Sequence, residues 1–211
     1  IKKVTTCTNE DFFAARVNSA ALKPSSARYD MRIMQIEEAA LLQIEDSILK
    51  AKETYGKDRI AVCVGSCDNG TEFSVAGHRK YFAENQFPAD YNLEIQGADY
   101  VSTFIAEKYD LTGPVNTFST ACSSSACAII KGAELIMSGI VDAAIVGGID
   151  IASDTTLVGF NGLEAVSSEI TIAIQSLSSL IPSAALCLVP NFLLIFPFRL
   201  IGNTAPALAI L

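Results

Sequence analysis

The residue best placed for covalent chemistry is Cys122, in the stretch VNTFSTACSSSACAIIKG. A short apolar run ends just before it and a helical pattern begins just after it, so the thiol stands where a strand turns into a helix. Its neighbours Ser119, Thr120, Ala121, Ser123, Ser124 and Ser125 are small, which permits a sharp turn and close approach of a substrate. A thiol at a helix N-terminus meets the positive end of the macrodipole and several backbone N–H groups, and both favour the thiolate. The same N–H groups could hold the oxyanion that forms when a thioester carbonyl is attacked. These features describe an acyl-accepting cysteine. On these residues alone a second reading, a buried small hydrophobe, stands beside it.

The remaining thiols and ionisable groups suggest less. Cys127 is expected to point away from Cys122 into the core. Cys63 falls inside an apolar strand pattern and reads as core, while Cys67 reads as a loop residue with no assigned chemistry. Gly65 to Gly70 is too sparse for a phosphate-binding loop. The six cysteines show no CxxC spacing, and His78 is the single histidine. That argues against a disulfide scaffold and a structural zinc site, and predicts a reducing, cytosolic setting. His78 is expected at an exposed or helix-surface position. Asp142 and Asp150 read as cap and turn residues. Gly147 and Gly148 mark either close backbone packing near Cys122 or a plain strand-to-loop turn. Arg79 and Lys80 read as a solvated pair, with docking of an acidic carrier protein as the alternative.

Positioning such a thiol requires alternating helix and strand. Residues 31–52 repeat apolar side chains at helical spacing, from Met31 and Met34 through Ala40 and Ile44 to Ile48. Residues 60–64 form a continuous apolar run ending at Gly65, as a strand covered on both faces would. A helix is predicted near 97–109, a short strand at 115–118 and a helix over 123–138 stopped by Gly139. That last helix places Ile129, Ala133, Ile136, Met137 and Ile140 on one stripe. A second buried strand starts at Asp142. Strand, helix, strand in this order predicts a parallel α/β sheet.

Composition bounds the rest. The chain has 211 residues, 50% hydrophobic and 18% charged, with a formal charge of −8. A core is affordable on that composition, disorder is not expected, and an acidic chain repels nucleic-acid phosphates. The opening IKKVTTCTNE has neither an initiator Met nor a signal-peptide apolar stretch, which predicts a piece of a longer chain. Character changes after Glu169, beyond which Arg199 is the one charged residue. The longest apolar stretch there, 184–198, is interrupted by Pro190, Asn191 and Pro197, a poor fit to a membrane span. A buried hydrophobic tail, membrane association and a shifted reading frame remain the three readings of 170–211.

STACSSSACAIIKGAELIMSGIVDAAIVGGID resembles the active-site block of the β-ketoacyl synthases, within the thiolase superfamily. It carries the Thr-Ala-Cys-Ser-Ser turn, the small-residue helix and the G-x-x-D-x-A-x-x-G-G exit. RIAVCVGSCDNG resembles that family's early core strand, and LVGFNGLEAVSSE the segment leading to its second half. The resemblance runs from about Tyr29 to Glu169. It implies a thiolase-like α/β fold with a mostly parallel central sheet, of which this chain is one βαβ-layered half. Residues 1–169 are then the N-terminal half, and 170–211 a tail that does not match.

The resemblance also implies the chemistry. Cys122 would take an acyl group from an acyl carrier protein or coenzyme A thioester, ahead of decarboxylative condensation with a malonyl thioester. It would need no cofactor. The family's two histidines (in one branch a His and an Asn) and supporting lysine belong to the second half, and His78 matches neither histidine. A homodimer or a partner subunit is therefore implied, with little condensing activity expected of this chain alone. The alternative is a non-catalytic synthase subunit that pairs with a complete partner.

Overall fold

The apolar run ahead of Gly65 forms a central strand, β3 (Ile60–Gly65), with every residue buried. The computed structural model describes residues 2–14, 29–68 and 70–166, together with the backbone of 207–210. In chain order the elements are a short hairpin β1 (Lys2–Thr5) and β2 (Asp11–Ala14), α1 (Arg32–Tyr55), β3, α2 (Thr71–Glu84), α3 (Tyr100–Tyr109), β4 (Val115–Phe118), α4 (Ser124–Met137), β5 (Ala143–Gly148), α5 (Asp154–Gly162) and β6 (Ala207–Ile210).

The sheet order is β4-β3-β5-β6. Every pairing in it is parallel, with Val62 opposite Val115 and Ile145, and Gly65 opposite Gly148. Parallel strands need crossovers, and α4 is the one that carries the chain from β4 to β5. Alternation along the strands separates two cores. Ile60, Val62, Val64, Ala143 and Ile145 face α1 and α3, where they meet Met34, Leu41, Ile48, Val101 and Ile105. Ala61, Cys63, Ala144 and Val146 face α4 and meet Ala128 and Leu135. The result is a helix–sheet–helix layering in which both faces of β3 and β5 are covered, which is why these two strands read as unbroken apolar runs.

Most of the predicted elements are present with shifted ends. The first helix runs three residues past the predicted end, to Tyr55. The helix expected from residue 97 begins at Tyr100, preceded by a short 3-10 turn over Leu93–Gln96. The stripe predicted on the helix after Cys122 is divided. Ile129 and Ile136 pack towards the sheet, but Met137 is 81% and Ile140 52% exposed. The seam against the sheet is instead Ala128, Gly132 and Leu135, because small side chains let α4 lie close to the strands.

Helix α2 was not foreseen. Its one buried residue is Gly77, so it has no apolar stripe to detect. His78 lies on it and is exposed, with Nδ1 2.8 Å from the Ser74 carbonyl, as a helix-surface histidine would be. Among the described residues no helix is long and apolar enough to cross a membrane. The stretch 184–198 lies outside the described residues.

Candidate active site

Three strands deliver their carboxyl ends to one edge of the sheet, and the chain around Cys122 leaves that edge. β4 ends at Phe118, and a single 3-10 turn over Ala121–Ser123 leads straight into α4 at Ser124. Ala121 has φ of 53°, a left-handed conformation that costs a non-glycine residue about 1 kcal/mol or more. The residue just before the thiol therefore holds the bend of the strand-to-helix corner. Cys122 is exposed at its apex.

Ser124 ties this corner. Its side chain is buried at 4% exposure, accepts a hydrogen bond from the Thr120 amide at 2.9 Å and donates to the Ala121 carbonyl at 2.7 Å. The two bonds clamp the peptides on the N-terminal side of Cys122. Ser123 adds a second tie, donating to the Thr120 carbonyl at 2.8 Å. The serine run thus closes the turn through side chain to backbone bonds, beyond merely being small.

The corner also presses on the strand ends. A methyl group at Gly65 would come within 2.5 Å of the Ser124 carbonyl carbon and 2.6 Å of the Ser125 amide nitrogen. One at Gly148 would collide with the Ser125 hydroxyl. These paired strand ends are glycine because the first turn of α4 lies directly on them. Of the two expectations for the glycine pair, close packing near the thiol is the one found at Gly148.

A second thiol reaches the same turn. The loop after β3 brings the Cys67 sulfur to 3.5 Å from the Ser124 hydroxyl, 3.8 Å from that of Ser119 and 3.9 Å from the Ala121 carbonyl. Cys67 is indeed a loop residue, but one seated against the turn that carries Cys122. The signal that could have found it is the matching position of Gly65 and Gly148 at the ends of neighbouring strands. Asp150 holds this loop, accepting from the Cys67 amide at 2.9 Å and lying 3.4 Å from the Ser66 hydroxyl. Burial pushes the Asp150 carboxyl up, opposed by the amides of Cys67 and Asp68. Asp68 in turn accepts from the Gly70 amide at 2.8 Å and from the buried Tyr100 hydroxyl at 2.9 Å.

Cys127 departs from expectation. It is half-buried rather than core, and the Thr120 hydroxyl donates to its sulfur at 3.6 Å. The 3-10 turn ahead of α4 changes the angular phase between the two cysteines, so Cys127 stays beside the turn. Cys63 is buried, as expected, and burial raises its thiol. Asp142, expected as a cap or turn residue, pairs with Arg59 at 2.7 Å. The other two Arg59 nitrogens cap the carbonyls of Ile140 and Gly139, just past the end of α4. No group of three or more metal-ligating side chains is found among the described residues.

Residues 11–176 match the family described as "Beta-ketoacyl synthase, N-terminal domain". That span exceeds the motif-bearing stretch at both ends. An iterative polyketide synthase of Emericella nidulans is 30% identical over 130 residues, 62% of this chain and 4% of that one. The 3-methylorcinaldehyde synthase of Sarocladium schorii is 30% identical over 151 residues, 70% of this chain and 5% of that one. Among solved structures, the ketosynthase in complex with its chain length factor from Xenorhabdus doucetiae superposes with a TM-score of 0.70 and 33% identity, over 80% of this chain and 43% of that one. A β-ketoacyl synthase from Burkholderia phymatum shares the fold, with a TM-score of 0.58 and 21% identity over 74% of this chain and 38% of that one. The chain thus spans under half of these solved ketosynthases and about a twentieth of the curated synthases. With its parallel sheet, its thiol corner at the strand ends and this matched span together, the chain belongs to the β-ketoacyl synthase family, through that family's N-terminal domain.

Proposed function

We propose that this chain is the nucleophile-bearing part of a ketosynthase, and that Cys122 accepts the acyl group from a carrier-protein or coenzyme A thioester. The observation that carries this reading is the exposed Cys122 on a corner clamped by Ser124 and pressed onto Gly65 and Gly148. Preorganisation of this kind holds a nucleophile in one geometry before substrate arrives.

In the transfer, the Cys122 sulfur attacks the thioester carbonyl and the carrier thiolate leaves once the tetrahedral oxyanion collapses. The Ser123 amide is already spent on the Thr120 carbonyl and the Ser124 amide on that of Ala121. The amides of Ala121 and Cys122, beside the sulfur, are the donors this reading assigns to the oxyanion. One thioester replaces another, so the exchange is close to thermoneutral. The later condensation with a malonyl thioester draws on donors from outside residues 1–169, and the assembly is a homodimer or a pair with a second subunit. The relatives named above favour polyketide over fatty-acid synthesis as the reading, and the free cysteines favour a cytoplasmic setting.

The test is acyl transfer from a labelled acyl-pantetheine thioester, with and without Cys122→Ala. The reading predicts covalent label in the unaltered chain and its loss in the variant. Undiminished label in Cys122→Ala overturns it. The alternative, a non-catalytic pairing subunit, is favoured by the exposed Ile130, Met137 and Ile140, and predicts no label at any cysteine.

A further inference from the structure

Two exposed thiols share one turn. Cys67 and Cys122 are both solvent-accessible and free. Of the six residues from Ser119 to Ser124, three place a polar atom within 3.9 Å of the Cys67 sulfur. One of those atoms is the Ala121 carbonyl, which belongs to the peptide joining Ala121 to Cys122. The single Ser124 hydroxyl proton goes to that carbonyl and one of its lone pairs to the Thr120 amide, so the one Cys67 proton is shared between the Ser124 oxygen and the Ala121 carbonyl. Nor is the loop free to swing away, since Asp150 and Asp68 hold the backbone on either side of Cys67.

From this geometry we infer that Cys67 is the resolving thiol of Cys122, making the corner an oxidative modification site. This rests on Cys122 being the reactive thiol of the proposed function. A low-molecular-weight disulfide such as oxidised glutathione is the oxidant. The Cys122 thiolate attacks one sulfur of glutathione disulfide, breaking its S–S bond and releasing one glutathione thiolate. Cys67, having given up its proton, then attacks the Cys122 sulfur of the mixed disulfide and expels the second glutathione. Two protein thiols become one disulfide, and one glutathione disulfide becomes two glutathione thiols. An accessible sulfur beside a resolving partner is the arrangement that makes such oxidation reversible. The product shields the nucleophile from irreversible oxidation and blocks acylation until a thiol reductant restores it.

The experiment treats the whole chain with oxidised glutathione, then maps disulfides by mass spectrometry, in parallel with Cys67→Ser and Cys67→Ala. The expected result is a Cys67–Cys122 linked peptide lighter by two hydrogens, and in both variants a Cys122–glutathione adduct that persists. A Cys122–glutathione adduct persisting in the unaltered chain as it does in the variants overturns the inference, as does a Cys122–Cys127 link. A separate arm acylates the reduced chain with the labelled thioester. Label on Cys122 without the Cys67 link refutes the resolving role alone, whereas absence of label refutes the proposed function itself.

Discussion

At the scale of single residues, the site depends on Ser124 more than on any other neighbour of Cys122. Ser124→Ala leaves the Thr120 amide and the Ala121 carbonyl without this partner, at a cost of about 1–3 kcal/mol. We expect acyl transfer to Cys122 to slow by about tenfold or more, measured as the rate of label incorporation, while the fold is retained by circular dichroism. A second residue-level prediction concerns Glu37 on α1, which is 2% exposed and has one carboxylate oxygen with no hydrogen-bond partner. Burial pushes its carboxyl well above the ordinary range. A carboxyl raised in the folded state binds more protons there than in the unfolded chain, so stability is greatest below the unfolded value and falls as pH rises through the raised one. Glu37→Gln should therefore raise the melting temperature at about pH 8 and leave it nearly unchanged at about pH 4. An equal shift at both values would show that the ionised carboxylate is not the cause. Cys122 was legible from its small neighbours and its place between strand and helix. Ser124 as a clamp was not, because five serine and threonine residues in that turn look alike until the backbone shows which hydroxyl points inward.

At the scale of elements, α4 starts two residues after Cys122 and its first turn rests on the ends of β3 and β5. Gly65→Ala puts a methyl group into the backbone of Ser124 and Ser125, so either the helix or the strand must move. We predict a loss of about 1–3 kcal/mol in denaturant unfolding, with a larger fractional loss of acyl transfer than of folded protein at working temperature. Gly139→Ala is the control. Gly139 has φ of +72° but nothing within 4 Å of the added methyl group. It should cost about 1 kcal/mol through backbone conformation alone and leave the site untouched. Strands β3 and β5 and helices α1, α3 and α4 were legible because each buries a long or continuous apolar surface, and β4 because a Gly-Pro break precedes it and a helical pattern follows it. Helix α2, with Gly77 as its one buried residue, and the hairpin strands β1 and β2, with four residues each, carry too little pattern to detect. The Cys67 contact was hidden for a different reason: it joins residues 52 or more apart in sequence, and such proximity depends on strand order.

At the scale of the whole molecule, one face of α4 lies on the sheet and the other meets solvent with Ile130 and Met137 exposed at 57% and 81%, continued past the helix end by Ile140 at 52%. Three large exposed apolar side chains on and just past one helix are a surface suited to a partner layer. Replacing Ile130 and Met137 with Lys should lower self-association of this chain in light scattering without altering the far-ultraviolet circular dichroism; unchanged association would locate the sticky surface elsewhere. The parallel sheet and its thiol corner were foreseeable from alternating apolar runs and one block of small residues. That the chain is part of a larger synthase was legible too, from the block around Cys122 and the lack of a second half, whereas the exposed face of α4 shows only in three dimensions. The measurement that bears most directly on the account is peptide mapping of the whole reduced chain after a single turnover with a labelled acyl-pantetheine thioester. The account predicts the acyl mass on the peptide containing Cys122 and on none containing Cys7, Cys63 or Cys67, with loss in Cys122→Ala; label on another of these thiols, or label surviving that substitution, would contradict it.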